Sequence, residues 1–218
     1  MPMTPARRVI LILGVPIALA LLAAFAYNAV AQTFRVGYHV HVSVPPGGQQ
    51  ARVSIDNADA TVRPGAGSRI VVDGTLLGSL RGPAFGWRPA SAGLVLHSSC
   101  FLGFIGSCTM AYDISVPSGL PVAVTDATGN LTVSGFSGPV TLSDGSGDIT
   151  LTFTEVPTRV DVTDGSGDIT LILPRGSTAY RVRARSASGD VSDSVKTSSS
   201  SPNVIIASDG SGDVSIGY

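Results

Sequence analysis

Beyond about residue 34, apolar and polar residues alternate with a period of two along most of the chain. Short runs of Gly, Ser and Asp break this alternation at even intervals. A period of two marks a β-strand with one buried face, because successive side chains leave opposite sides of the backbone. In VTLSDGSGDITL, residues 140–151, Val140 and Leu142 share one face, and Thr141 and Ser143 share the other. After the Gly-rich break, Ile149, Leu151 and Phe153 return to the apolar face while Thr150, Thr152 and Thr154 point away. The pattern predicts two short strands joined by a tight corner.

That unit is written five times, at 122–133, 140–151, 160–171, 182–193 and 205–216, with starts 18, 20, 22 and 23 residues apart. Such self-similarity is the mark of a repeat architecture. The corner reads D-G-S-G-D or a relative of it. Its residues are Asp144, Gly145, Gly147 and Asp148 in the second copy and Asp164, Gly165, Gly167 and Asp168 in the third. The fourth supplies Gly189 and Asp190, and the fifth supplies Asp209, Gly210, Gly212 and Asp213. Gly accepts backbone angles that other residues resist, and Asp bonds nearby N–H groups, so these positions are assigned to turns. Pro139, Pro157, Pro174 and Pro202 fall between units, outside any ladder they would interrupt. The fourth copy is degenerate: Val182 and Ala184 keep the inward face, Arg183 and Arg185 turn outward, and Asp193 stands where an apolar residue is expected. The serine run 198–201 reads as a loop.

Two all-β architectures fit. In a single-stranded parallel β-helix, a β-solenoid, equivalent strands of successive copies pair in parallel. In an antiparallel meander, each corner is a hairpin turn. Identical residues at identical positions favour the solenoid. Upstream, VSIDNADATV at 53–62 reads as a degenerate unit. IVVDG at 70–74, LVLHS at 94–98 and YDISV at 112–116 read as strands of the same domain, with Trp87 a core or capping residue.

SVPSGLPVAVTDATGNLTVSG, followed by its S-G-D-[IV]-T/S units, resembles the bacterial putative-adhesin, β-strand-repeat domain family over roughly residues 50–218. The resemblance implies a β-helix, often carried on a membrane anchor, and the family name implies adhesion.

The first thirty residues follow another pattern. Val9 to Tyr27 is apolar and uncharged, long enough for a hydrocarbon core about 30 Å thick. Arg7 and Arg8 precede it and no basic residue follows until Arg35, which places the N-terminus inside and the remainder outside. The expected organisation is a cytoplasmic tail at 1–8, a signal-anchor at 9–31, a juxtamembrane segment at 32–50 and the repeat domain at 51–218. Ala29 and Ala31 form an A-x-A pattern, so cleavage after Ala31 and secretion is the alternative.

Composition narrows the chemistry. Net charge is −1, and leaving out Arg7 and Arg8 with residues 1–31 makes it −3; Lys196 is the only lysine. Nucleic-acid binding is disfavoured, since Arg181, Arg183 and Arg185 form one local cluster. Cys100 and Cys108, the only two cysteines, are read as a disulfide around an apolar loop in an exported chain. A calcium-binding β-roll is the sharpest alternative use of the Asp corners, but the nine-residue repeat of such rolls is absent. His39 and His41 share a face without an evident third ligand. No nucleophile elbow, zinc spacing or phosphate loop occurs. The acids are spread through repeated turns instead of gathering in one cleft, so no enzyme and no cofactor are expected. The expected function is a non-catalytic envelope protein that binds a glycan or protein, or its own kind through an open C-terminal coil edge. An accessory role in envelope-stress signalling and a carbohydrate-active β-helix are the alternatives.

Overall fold

Short strands rich in Val, Ile and Leu cannot bury an apolar face alone and need equivalents above and below. The computed structural model describes residues 13–79, 82–90, 93–100 and 108–218 and shows how that need is met. A helix, Val15–Thr33, leads into β1, Arg35–Val44. Then come β2, Ala51–Ile55; β3, Asp59–Gly65; β4, Ile70–Ser79; β5, Ala84–Ala90; β6, Gly93–Ser99; and β7, Cys108–Pro117. The five sequence copies supply the remaining strands in pairs. These are β8, Val122–Asp126, with β9, Leu131–Ser134; β10, Val140–Asp144, with β11, Ile149–Thr152; and β12, Arg159–Asp164, with β13, Ile169–Ile172. The fourth copy gives β14, Arg181–Ser186, and β15, Val191–Asp193; the fifth gives β16, Val204–Asp209, and β17, Val214–Gly217.

Each copy sends its first strand to one sheet and its second to another. Among the described residues, one sheet has nine strands in the order β1-β4-β7-β3-β9-β11-β13-β17-β15. The other has eight, β14-β16-β12-β10-β8-β2-β6-β5. Repeat strands pair in parallel with like residues opposite: Leu142 lies beside Val124 and Val162, and Leu151 beside Val133 and Leu171. The solenoid therefore stands and the meander does not. Among the described residues, antiparallel pairing is confined to β1, β4 and β7 in one sheet and to β5 and β6 in the other. These antiparallel strands close the N-terminal end, where the sequence showed strands but no repeat. The degenerate unit at 53–62 is a true coil, with Val53 beside Val124 and Val62 beside Val133.

The core is a set of aliphatic columns between the sheets. Leu94, Val53, Val124, Leu142, Val162 and Ala207 follow one another across six strands, each 2% exposed or less. The corners join the stack as well: Gly147 N–H donates to Ser166 O at 2.9 Å and Ile149 N–H to Asp168 O at 2.9 Å. Backbone bonding thus passes from coil to coil through the turn, which a hairpin would not allow.

Stacking order departs from sequence order. The fifth copy lies between the third and the fourth, since β16 pairs with both β12 and β14, and β17 with both β13 and β15. The expected open edge at the C-terminal coil is therefore corrected. That coil has neighbours on both sides, and the free end is the degenerate fourth copy. The N-terminal end has the same arrangement, with the β2–β3 coil seated between β6–β7 and β8–β9.

Trp87 is 48% exposed on β5, the last strand of its sheet, so the core reading is corrected. The helix Val15–Thr33 shows Leu19, Leu21, Leu22 and Phe25 to the outside. Among the described residues no helix is long and apolar enough to cross a membrane. Residues 1–8, assigned to the cytoplasmic tail, and 9–12, the start of the anchor, lie outside the described residues, as do Phe101, Leu102, Phe104 and Ile105 of the cysteine loop.

Candidate functional site

The corner acids separate into two ladders with different surroundings. Strand parity turns the first Asp of each corner inward: Asp126, Asp144, Asp164 and Asp209 are 3–5% exposed. Register sets them side by side, Asp126 next to Asp144, then Asp164, then Asp209. One oxygen of each accepts the backbone N–H two residues on, from Thr128, Ser146, Ser166 and Ser211 at 3.2–3.3 Å. The Oδ2 atoms of Asp126, Asp144 and Asp164 are buried without a hydrogen-bond partner. An ionised oxygen in that position is costly, so burial favours the protonated acid. Burial first, and the neighbouring Asp144 second, push Asp126 up to about 7. Burial pushes Asp164 up to about 6 and raises Asp144 as well.

The second Asp of each corner faces water and bonds to the coil beside it. Asp148 Oδ1 accepts Asp168 N–H at 3.0 Å, Asp168 Oδ1 accepts Asp213 N–H at 2.9 Å, and Asp213 Oδ1 accepts Asp190 N–H at 2.8 Å. Asn130 and Asp59 extend the run toward the N-terminal end. Asp144 with Asp164 and Asp148 with Asp168 are thus brought together by the stacking. Among the described residues no group of three or more His, Cys, Asp or Glu side chains is placed to hold a metal ion.

The glycines between the acids are fixed by contact. A Cβ on Gly147 would lie 2.0 Å from Gly129 O, on Gly167 2.0 Å from Gly147 O, and on Gly212 2.0 Å from Gly167 O. Gly189 meets Gly212 O at the same distance. Gly145, Gly165 and Gly210 form a looser column, each with its Cβ position 2.6 Å from the carbonyl oxygen of the coil beneath. Cys100 and Cys108 form the expected disulfide. His39 and His41 take separate partners on β4: Thr75 Oγ1 at 3.1 Å and Asp73 Oδ1 at 2.6 Å from the respective Nδ1 atoms. A hollow of about 290 Å³ beside them holds Asp59, Asp73 and Asp113. Asp59 bonds Asn130 N–H, Asp73 faces His41, and Asp113 pairs with Arg63 at 3.3 Å.

What remains open to a partner are the outer faces. On the nine-stranded sheet, register aligns Thr61, Thr132, Thr150, Thr170, Ser215 and Ser192 into one row across six strands. On the other sheet Ser54, Thr125, Ser143, Thr163 and Ser208 form a second row. The rungs are about 4.8 Å apart, so each face carries a line of hydroxyls at crystal-like regularity. The alternating Thr and Ser were legible in sequence; their alignment over non-sequential coils was not.

Residues 112–217 match the Toastrack DUF4097 family. The Toastrack match begins in β7 and ends in β17, so it covers all five copies. Among solved structures, one described as a putative cell adhesion protein from Clostridium sporogenes aligns with a TM-score of 0.58 at 15% identity. It covers 84% of this chain and 99% of that one. That likeness shows the fold, and the resemblance to β-strand-repeat adhesin domains read from the corners holds at that level. A putative adhesin from Bacteroides fragilis aligns with a TM-score of 0.37 at 12% identity, over 82% of this chain and 97% of its own. No curated protein matches the sequence significantly.

Proposed function

We propose that this chain is a non-catalytic, adhesin-like protein held outside the cytoplasmic membrane by its N-terminal apolar segment, where it presents a flat hydroxyl face to a glycan or protein of the envelope. The observation that carries the reading is the unbroken Thr/Ser row across six strands of one sheet. A rigid face with donors and acceptors at a fixed spacing suits repeated sugars or an extended peptide. It offers no activated nucleophile or base, because the acids nearest it are committed to backbone N–H groups, His41 or Arg63. The exposed apolar side chains of the helix, with Arg7 and Arg8 ahead of them, support a lipid anchor. The name of the Clostridium sporogenes structure, a putative cell adhesion protein, supports adhesion.

The test is binding of the full chain, held in lipid nanodiscs, to whole bacterial cells and to a glycan array. Thr132→Lys, Thr150→Lys and Thr170→Lys combined place three long cations on the face without touching the core. Binding is expected to fall by roughly tenfold or more, the equivalent of one or two lost hydrogen-bonded contacts. Binding that ignores this triple variant, or no binding at all, overturns the reading.

A further inference from the structure

The free end of the solenoid carries a feature that the hydroxyl faces do not use. On β14, Arg181, Arg183 and Arg185 occupy alternate positions and face outward, while Val182 and Ala184 pack against the core. Alternate residues of a strand stand about 6.7 Å apart, so three guanidiniums lie in a line along the last rung of the sheet.

Among the described residues no carboxylate answers them. The acid on the same face is Asp161, two strands away on β12, and Arg159 already holds it with Nε–Oδ2 at 2.6 Å and Nη2–Oδ1 at 3.1 Å. Asp193, on β15 of the other sheet, accepts Val195 N–H at 3.0 Å. Arg185 Nε donates to Ser208 Oγ at 2.8 Å. Among the described residues the guanidiniums of Arg181 and Arg183 have neither an ion pair nor a hydrogen bond.

These two arginines border a hollow of about 480 Å³, with Thr197, Ser198 and Ser199 on its other side. The backbone adds donors. Arg181 N–H turns inward to Asn203 O, and Tyr180 N–H turns outward to Lys196 O. Alternation along a parallel strand then directs the N–H groups of Val182 and Ala184 to the open edge. The hollow thus gathers guanidinium, hydroxyl and amide donors around a space with no balancing negative charge.

Guarding a free edge against strand addition explains charge here, but either sign would serve that end. Three arginines in line, in a domain whose net charge is negative, need a further reason. We infer that this end of the solenoid is a binding site for a linear phosphodiester polymer of the cell envelope, a polyol-phosphate chain. Each guanidinium fork takes the two free oxygens of one phosphate, and the spacing of the arginines suits one charge per extended repeat. A nucleic acid has the same backbone, but it would seek aromatic side chains for its bases, and the one aromatic at the hollow, Tyr180, is fully buried.

The site lies on the opposite sheet from Thr132, Thr150 and Thr170, so it can fail or stand without them. The experiment titrates the full chain in nanodiscs with poly(glycerol phosphate), a single-stranded oligonucleotide and polyglutamate of matched charge at several salt concentrations. Poly(glycerol phosphate) is expected to bind best, with log K falling against log salt at a slope of about −2, near −0.7 for each of three phosphates engaged. Arg183→Ala is expected to weaken binding roughly tenfold and reduce the slope by about 0.7. Arg183→Glu with Arg185→Glu keeps the edge charged and is expected to abolish binding while the melting temperature and the oligomeric state stay those of the parent. Equal or tighter binding of the oligonucleotide or polyglutamate, or arginine variants that bind like the parent, overturns the inference.

Discussion

Two kinds of residue decide whether a coil can be laid on its neighbour, and they make different predictions. Gly147 has φ +143° and a carbonyl oxygen 2.0 Å from where its Cβ would stand. Gly147→Ala therefore meets both backbone strain and a clash with main chain that cannot swing aside. A loss of about 2–4 kcal/mol is expected in chemical denaturation. Gly138, with open space around its Cβ position, serves as the control, and its replacement by Ala should change stability by no more than about 0.5 kcal/mol. The buried acids predict a pH dependence. Asp126 and Asp164 titrate near 7 and near 6 in the folded chain, above the ordinary carboxylate value near 4 that the unfolded chain shows. The folded state thus holds the extra protons. Their contribution is complete below about pH 4 and is lost as pH rises through about 6 to 7. Thermal melts should show the midpoint falling over that interval. Asp126→Asn, which keeps an acceptor for Thr128 N–H, should flatten the fall; an unchanged slope would show that the ladder does not hold protons. The sequence assigned Asp144, Asp164 and Asp209 to turns; in the structure each is the last residue of its strand, buried, with one oxygen on the backbone N–H two residues on. Their burial was also legible, in the parity of Val122, Val124 and Asp126, but the Gly-rich corner that follows drew the reading to the surface.

At the level of strands, the repeat made register readable and left order unreadable. Val140 opposite Val160 follows directly from aligning the copies. Which copy lies beside which does not, because every coil offers the same aliphatic columns above and below. The one clue was the fourth copy. Arg183, Arg185 and Asp193 are residues suited to a terminal rung, and their departure from the pattern marked an end within the sequence, not a defect in the stack. The β16–β17 coil between the third and fourth copies yields a direct test. A chain ended after Asn203 loses the rung on which β14 and β15 rest, so circular dichroism should show the loss of at least two coils' worth of strand. If the fifth copy were only an outer rung, the fourth would stay folded without it.

For the molecule as a whole, the solenoid is one column whose ends are treated differently. The N-terminal end is closed by antiparallel β1, β4 and β5, while the other ends on β14 and β15. Amide exchange should accordingly be slowest in β10 to β13 and fastest at the free end, with β17 more protected than β15 although it comes later in the chain. Protection that falls steadily with residue number would contradict the stacking order. The closed end was the least legible part of the fold. Its strands pair antiparallel, carry no corner motif, and include an exposed tryptophan that composition alone would place inside.

The displaced rung also bears on how the domain is completed as the chain emerges. A chain delivered from its N-terminus brings out the fourth copy before the fifth, yet the fourth cannot settle on the third without shutting out the strand pair that belongs between them. The bare upper surface of β12 and β13 must therefore wait until β16 and β17 have been made. In that interval the growing molecule is most open to capture by a folding helper, or to a wrong closure in which Val182 and Ala184 seat prematurely.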